Sequence, residues 1–167
     1  MSRRFITLVL AIGALIQTVL PQWGAFGSLE LPVLTGMMIC IALHADRAQM
    51  LYAAVVAGLL HDSFCPAPLG LSIPYFIGLA AGINWIRDEI FGDEPATYAI
   101  LGAIAAIFET VYYALVFSLS GLRPVSGGWL ALRLAGGLIT GIVVVPLIAL
   151  SVVQMRSLTS RNRRRFI

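Results

Sequence analysis

Six apolar runs, each closed by a proline or by a cluster of polar and charged residues, leave this chain few ways to fold. They are Phe5 to Leu20, Leu31 to Leu43, Ala48 to Phe64, Leu69 to Ile86, Ala96 to Leu119 and Trp129 to Val153. A helical span of a bilayer takes roughly 17–25 mostly apolar residues. In lipid the backbone donors and acceptors must be met within the chain, so such runs read as helices. Composition agrees: of 167 residues 59% are hydrophobic and 11% charged, whereas soluble domains carry about 25% charged residues. A soluble fold of this size could not hide so much apolar surface. The expectation is an all-α integral membrane protein, a bundle of six transmembrane helices with both termini cytoplasmic. Residues 1–155 would form one polytopic domain and residues 156–167 a basic cytoplasmic tail.

The runs differ in their punctuation. Ser2-Arg3-Arg4 precedes the first and Pro21 ends it. A positive start before an apolar stretch also describes a signal peptide, but the further runs favour a span. Trp23 suits an interfacial anchor. Leu31 to Leu43 is short for a span. It must borrow from Ser28-Leu29-Glu30, thin the bilayer or be re-entrant, and a span is the reading adopted. His44 to Arg47 is a tight polar turn, Arg87 to Glu94 the most charged loop, and Ser120 to Gly128 a polar Gly/Pro loop.

Every basic residue is arginine, and the formal net charge is +3. With the N-terminus inside, Arg3, Arg4, Arg47, Arg87 and the tail arginines 156, 161, 163, 164 and 165 are cytoplasmic, while only Arg123 and Arg133 are outside. That asymmetry follows the positive-inside rule. The tail therefore reads as a topology signal and a contact for anionic lipid, each Arg worth about 1 kcal/mol near such a surface, not as a nucleic-acid binder. Cys40 and Cys65 fall near opposite ends of their spans, so a disulfide between them is not expected.

Ionisable groups inside apolar helices are costly and each asks for a reason. At about 1.5 Å per residue, Gln17, Asp62, Glu109 and Arg133 all fall roughly 18–24 Å above the inner side. The hypothesis is a buried polar layer in which Arg133 pairs with Glu109 or Asp62, with His61 and Gln17 nearby, serving as a structural pairing or around a ligand. Plainer readings stand beside it. His61 and Asp62 could mark the interface end of a span and cap the turn that follows. Arg133 could snorkel to the outer headgroups. Small residues four apart, Ala54/Gly58, Gly78/Gly82, Gly102/Ala106 and Gly137/Gly141, favour close helix packing, within the chain or against a partner.

The search for catalytic chemistry yields little. No HExxH, GxSxG or Walker loop is present. His44 and His61 lie at opposite ends of the bundle, so no metal pair is expected. Ser63 follows Asp62 directly, and adjacent helical residues point apart. No cofactor is implied.

The most distinctive stretch is Val55 to Leu71, where Gly58-Leu59-Leu60-His61-Asp62 closes one helix and Pro68-Leu69-Gly70-Leu71 opens the next. With the six-run layout, the Asp46-Arg47 turn and the Pro21 break, this resembles the rod shape-determining protein MreD family. The specific likeness covers Gly58 to Leu71, with Gly58, Asp62, Pro68, Leu69 and Gly70 as its core. The Arg-rich tail and the Arg87 to Glu94 loop have no counterpart in it. The resemblance implies a non-enzymatic protein of the bacterial cytoplasmic membrane. It would work beside the bitopic protein MreC in the lateral wall-synthesis machinery, with MreB, RodA and a transpeptidase. It also implies a fold similar to the substrate-binding subunits of energy-coupling-factor transporters. That suggests an alternative, a small-molecule-binding subunit of an uptake system. A homodimer stays open. Candidate docking surfaces are Phe64 to Gly70 with Leu122 to Gly128 outside, and His44 to Arg47 with Asp88 to Glu94 inside.

Overall fold

The computed structural model describes residues 3–19, 31–64, 68–87, 94–120 and 127–163. Among them the chain is all-α, with six helices and no strand. The helices are α1 (Arg3–Val19), α2 (Val33–His44), α3 (Arg47–Phe64), α4 (Ile73–Ile86), α5 (Pro95–Ser120) and α6 (Gly127–Arg163).

Helix α2 is the hub. It packs against each of the other five helices. Around it α1 meets α3, α3 meets α4, α4 meets α5 and α5 meets α6, while α1 and α6 do not touch among the described residues. The sequence of α2 explains this position. Its twelve residues carry no polar face, and Leu34 and Ile39, on opposite sides, are both fully buried, as is Met38. A helix apolar all round belongs in the middle of a fold. At about 1.5 Å per residue it is only about 18 Å long, which a surrounded helix can be. Pro32 sits just before it, where a missing N–H costs nothing, and the Gly36 N–H bonds to the Pro32 carbonyl at 2.9 Å. The run expected at Leu31 to Leu43 is this helix. The expected loan from Ser28 to Glu30 lies outside the described residues.

Proline also opens α5, at its first residue, and sits in the first turn of α4. In α6 Pro146 is internal, yet the helix continues to Arg163. The boundary expected between residues 155 and 156 therefore falls within one helix. One run needs correction: the apolar stretch from Leu69 does not start α4. Pro68 to Ser72 form a turn, closed by the Leu71 N–H on the Pro68 carbonyl at 3.3 Å, and the helix begins at Ile73.

The α5–α6 contact is the most extensive in the fold. Gly102 and Gly141 set its spacing, because a Cβ on either would overlap the backbone of the other. Beyond the core, much of the described helical surface is apolar. Leu8, Leu15 and Val19 on α1, Val55 on α3, Ile104 and Leu115 on α5, and Ile139 and Leu147 on α6 are all exposed. Soluble monomers rarely present apolar patches beyond a few hundred Å². Two helical stretches, Pro95–Leu119 and Gly127–Val152, are long and apolar enough to cross a membrane.

Candidate functional site

Asp62 stands in the last turn of α3 and is 2% exposed. One turn earlier, Gly58 lets the start of α4 lie directly on α3. A Cβ at position 58 would come within 2.7 Å of the Ile73 Cα and 2.9 Å of its nitrogen. That approach brings the turn before α4 over the Asp62 carboxylate. Gly70 donates its N–H to Oδ2 at 2.7 Å, and Ser72 donates to both oxygens at 3.1 and 3.2 Å. Gly70 holds φ at +95°, a left-handed conformation that glycine adopts without steric cost. A buried carboxylate is tolerable when N–H groups meet its lone pairs, and bonds to an ionised acceptor are among the stronger ones. Gly58, Asp62, Pro68 and Gly70 thus build one tether between α3 and α4; Leu69 is exposed at the tip of the turn.

Two adjacent tyrosines of α5 close over the same turn. Tyr112 donates its hydroxyl to the Leu71 carbonyl at 2.6 Å. The Ser72 hydroxyl lies 2.7 Å from the Tyr113 hydroxyl and 3.0 Å from Nδ1 of His61. The Tyr113 ring stacks on His61 and on Phe117, and Phe76 meets His61 edge-on. Spacing along the sequence pointed to His61 and Asp62 but not to Ser72, Tyr112 or Tyr113. The one available signal was a Tyr-Tyr pair three residues after Glu109 in an apolar helix.

Glu109 and Arg133 form the second polar group, between α5 and α6. Arg133 Nη2 is 3.9 Å from Glu109 Oε1, and the Tyr75 hydroxyl donates to Oε2 at 3.4 Å. The Arg133 guanidinium lies 5.2 Å from the Trp129 ring centroid and 5.7 Å from that of Tyr113. Tyr113 is therefore shared between the two groups. Both charged side chains keep some exposure, 17% for Arg133 and 23% for Glu109.

The structure thus places Arg133 with Glu109 and not with Asp62, whose oxygens face the turn. His61 is beside Asp62, its Nδ1 3.8 Å from Oδ1. Gln17 turns to the start of α2: its Oε1 accepts the Leu34 N–H at 3.0 Å, one of the first-turn donors that a helix cannot satisfy internally. Of the small residues, Ala54, Gly58, Gly102, Ala106, Gly137 and Gly141 are buried, with Gly137 against Ala106. Gly78 faces the Phe108 ring, whereas Gly82 has nothing within 4 Å. At Gly82 the four-residue spacing therefore serves no packing among the described residues.

Ser63 turns outward and donates its hydroxyl to the Leu59 carbonyl at 2.7 Å, away from Asp62. His44 sits at the far end of α3 from His61 and meets the Cys40 carbonyl at 2.9 Å. Among the described residues no three His, Cys, Asp or Glu side chains could hold a metal ion. Cys40 is a buried thiol outside any disulfide; Cys65 lies outside the described residues, as do 65–67, 88–93 and 122–126 of the candidate docking loops, whereas His44 to Arg47 lies within them. The chain matches no family model, no curated protein and no solved structure.

Proposed function

We propose that this chain is a multi-pass protein of the bacterial cytoplasmic membrane, a non-enzymatic scaffold of the cell-wall elongation machinery. In this reading its six helices act as a platform on which the single span of an MreC-type bitopic protein docks. The observation that carries the reading is the tether at Asp62. The residues of the MreD-like stretch act together there as structure, and the carboxylate best placed for chemistry commits its acceptors to backbone N–H groups. The apolar exterior of α1, α5 and α6 supports membrane embedding, and offers faces on which another helix can pack. The uptake-subunit alternative asks Gln17, Asp62, Glu109 and Arg133 to surround one pocket. Two of those four instead accept backbone N–H groups at separate helix starts.

The test is co-purification. The tagged chain, co-expressed with an MreC-type partner and extracted in mild detergent, is expected to elute with it as one complex. Separate elution of two well-folded proteins would overturn the scaffold reading. A small molecule retained by the chain alone would favour uptake.

A further inference from the structure

The Asp62 carboxylate is met by N–H groups of its own turn, whereas the Arg133 guanidinium between α5 and α6 is not so supplied. A guanidinium carries five N–H donors. For Arg133 the described residues supply one carboxylate oxygen at 3.9 Å, beyond hydrogen-bond range, and two aromatic faces, which accept no N–H in the ordinary sense. A cation whose donors are unmet is expensive at membrane depth. What lies at that depth follows from the helix. The apolar stretch of α6 has 26 residues, about 39 Å of helix against a hydrocarbon core of about 30 Å. Arg133 is six residues past Gly127, so its Cα is about 9 Å along the helix and only a few ångströms below the headgroup boundary. A helical side chain leans toward its own N-terminus, and arginine snorkels. Both carry the guanidinium toward the phosphates, with Trp129 at the level where interfacial tryptophans sit.

Glu109 decides which headgroup. Arg133 with Glu109 is a neutral pair, so a purely anionic headgroup would meet the carboxylate as well as the guanidinium. A zwitterionic one with N–H donors meets both charges with their opposites. On the basis of the membrane reading above, we propose that Arg133 and Glu109, walled by Trp129 and Tyr113, form a binding site for a phosphoethanolamine lipid headgroup. The phosphate takes the Arg133 donors and the ammonium donates to the partly exposed Glu109 carboxylate.

The full chain in detergent is mixed with equal amounts of phosphatidylethanolamine, phosphatidylcholine and phosphatidylglycerol of matched acyl chains, and the lipids retained are counted by native mass spectrometry. The wild type is expected to keep phosphatidylethanolamine over phosphatidylcholine, which has no N–H to give Glu109, by about tenfold, the worth of one charge-assisted hydrogen bond. Arg133→Gln should lose that retention. Glu109→Gln, which conserves shape and leaves the cation unopposed, should turn the preference to phosphatidylglycerol. It keeps the test decisive should Arg133→Gln not fold. Equal retention of the three lipids by the wild type, or an unchanged preference in Glu109→Gln, would overturn the site. Displacement of the lipid by an equal concentration of water-soluble glycerophosphoethanolamine would overturn its lipid nature. Failure of the membrane reading itself would look different: a chain that stays monodisperse without detergent.

Discussion

Two carboxylates stand in the same half of this apolar bundle and are held in opposite ways. Asp62 is buried and bonded to backbone, through Gly70 and Ser72. Glu109 is partly exposed and bonded to side chains, through Arg133 and Tyr75. Backbone partners cannot move away without unwinding the turn, so Asp62 belongs to the fold. Side-chain partners can change rotamer at the cost of about 1 kcal/mol, so the Glu109 pair can accept a third party. The consequence is that the more deeply buried acid is the less suited to function.

The largest expected effect breaks the first half of this comparison. Asp62→Ala leaves two N–H donors with no acceptor in a buried turn, and each such group costs about 1–3 kcal/mol. A loss of about 3 kcal/mol or more is expected in thermal unfolding of the detergent-solubilised chain. Asp62→Asn, with one acceptor oxygen left, should recover part of it. An Asp62→Ala protein as stable as wild type would mean that the turn does not depend on this carboxylate.

Gly58 comes next. Alanine there forces the Ile73 backbone away, and overpacking of this kind costs about 1–3 kcal/mol. Gly82 supplies the control in the neighbouring helix. With nothing within 4 Å, Gly82→Ala should be neutral or stabilise by up to about 1 kcal/mol, since alanine is the better helix former. Equal behaviour of the two variants would show that α3 and α4 are not seated through Gly58.

How far these features were legible depends on what a count along a helix can report. Distance along the axis gives depth, and Asp62, Glu109 and Arg133 do fall near one another. It does not give the angle around the axis, which is why Gln17 could share their depth and still turn to the start of α2. Apolar runs and prolines located the helices well. The exceptions are α6, which runs past its apolar stretch to Arg163, and α4, where Leu69 and Leu71 look helical but a left-handed Gly70 makes a turn. That glycine is bonded to an acid eight residues earlier, and local pattern carries no trace of the bond. Ser72, Tyr112 and Tyr113 were hidden for the same reason, since their partners come from a distant part of the chain. The central place of α2 was within reach, because a short run with no polar side has to be enclosed.

A smaller effect sharpens the boundary between the two regions. Tyr113 touches both, through its hydroxyl on Ser72 and its ring beneath Arg133. Tyr113→Phe keeps the ring and removes the hydroxyl, so only the Asp62 side should respond. Interhelical hydrogen bonds within membranes average about 0.6 kcal/mol, and a loss of that order is expected. The ring contact with Arg133 should persist, leaving lipid retention unchanged. A change in retention with unchanged stability would place the hydroxyl on the other side of the boundary.

The smallest effect on stability is expected from Glu109→Gln. At 3.9 Å and with both partners partly open, the ion pair resembles an exposed one, and such pairs contribute about 0–1 kcal/mol. The Tyr75 hydroxyl, at 3.4 Å, still finds an amide oxygen to donate to. Unfolding should therefore shift little, by well under the cost of Asp62→Asn. Because lipid preference is expected to change in the same variant, stability and binding separate at Glu109 and stay joined at Asp62. If Glu109→Gln instead unfolds the chain as readily as Asp62→Ala, both acids are structural. The contrast between a fixed tether and an adaptable pair would then be lost.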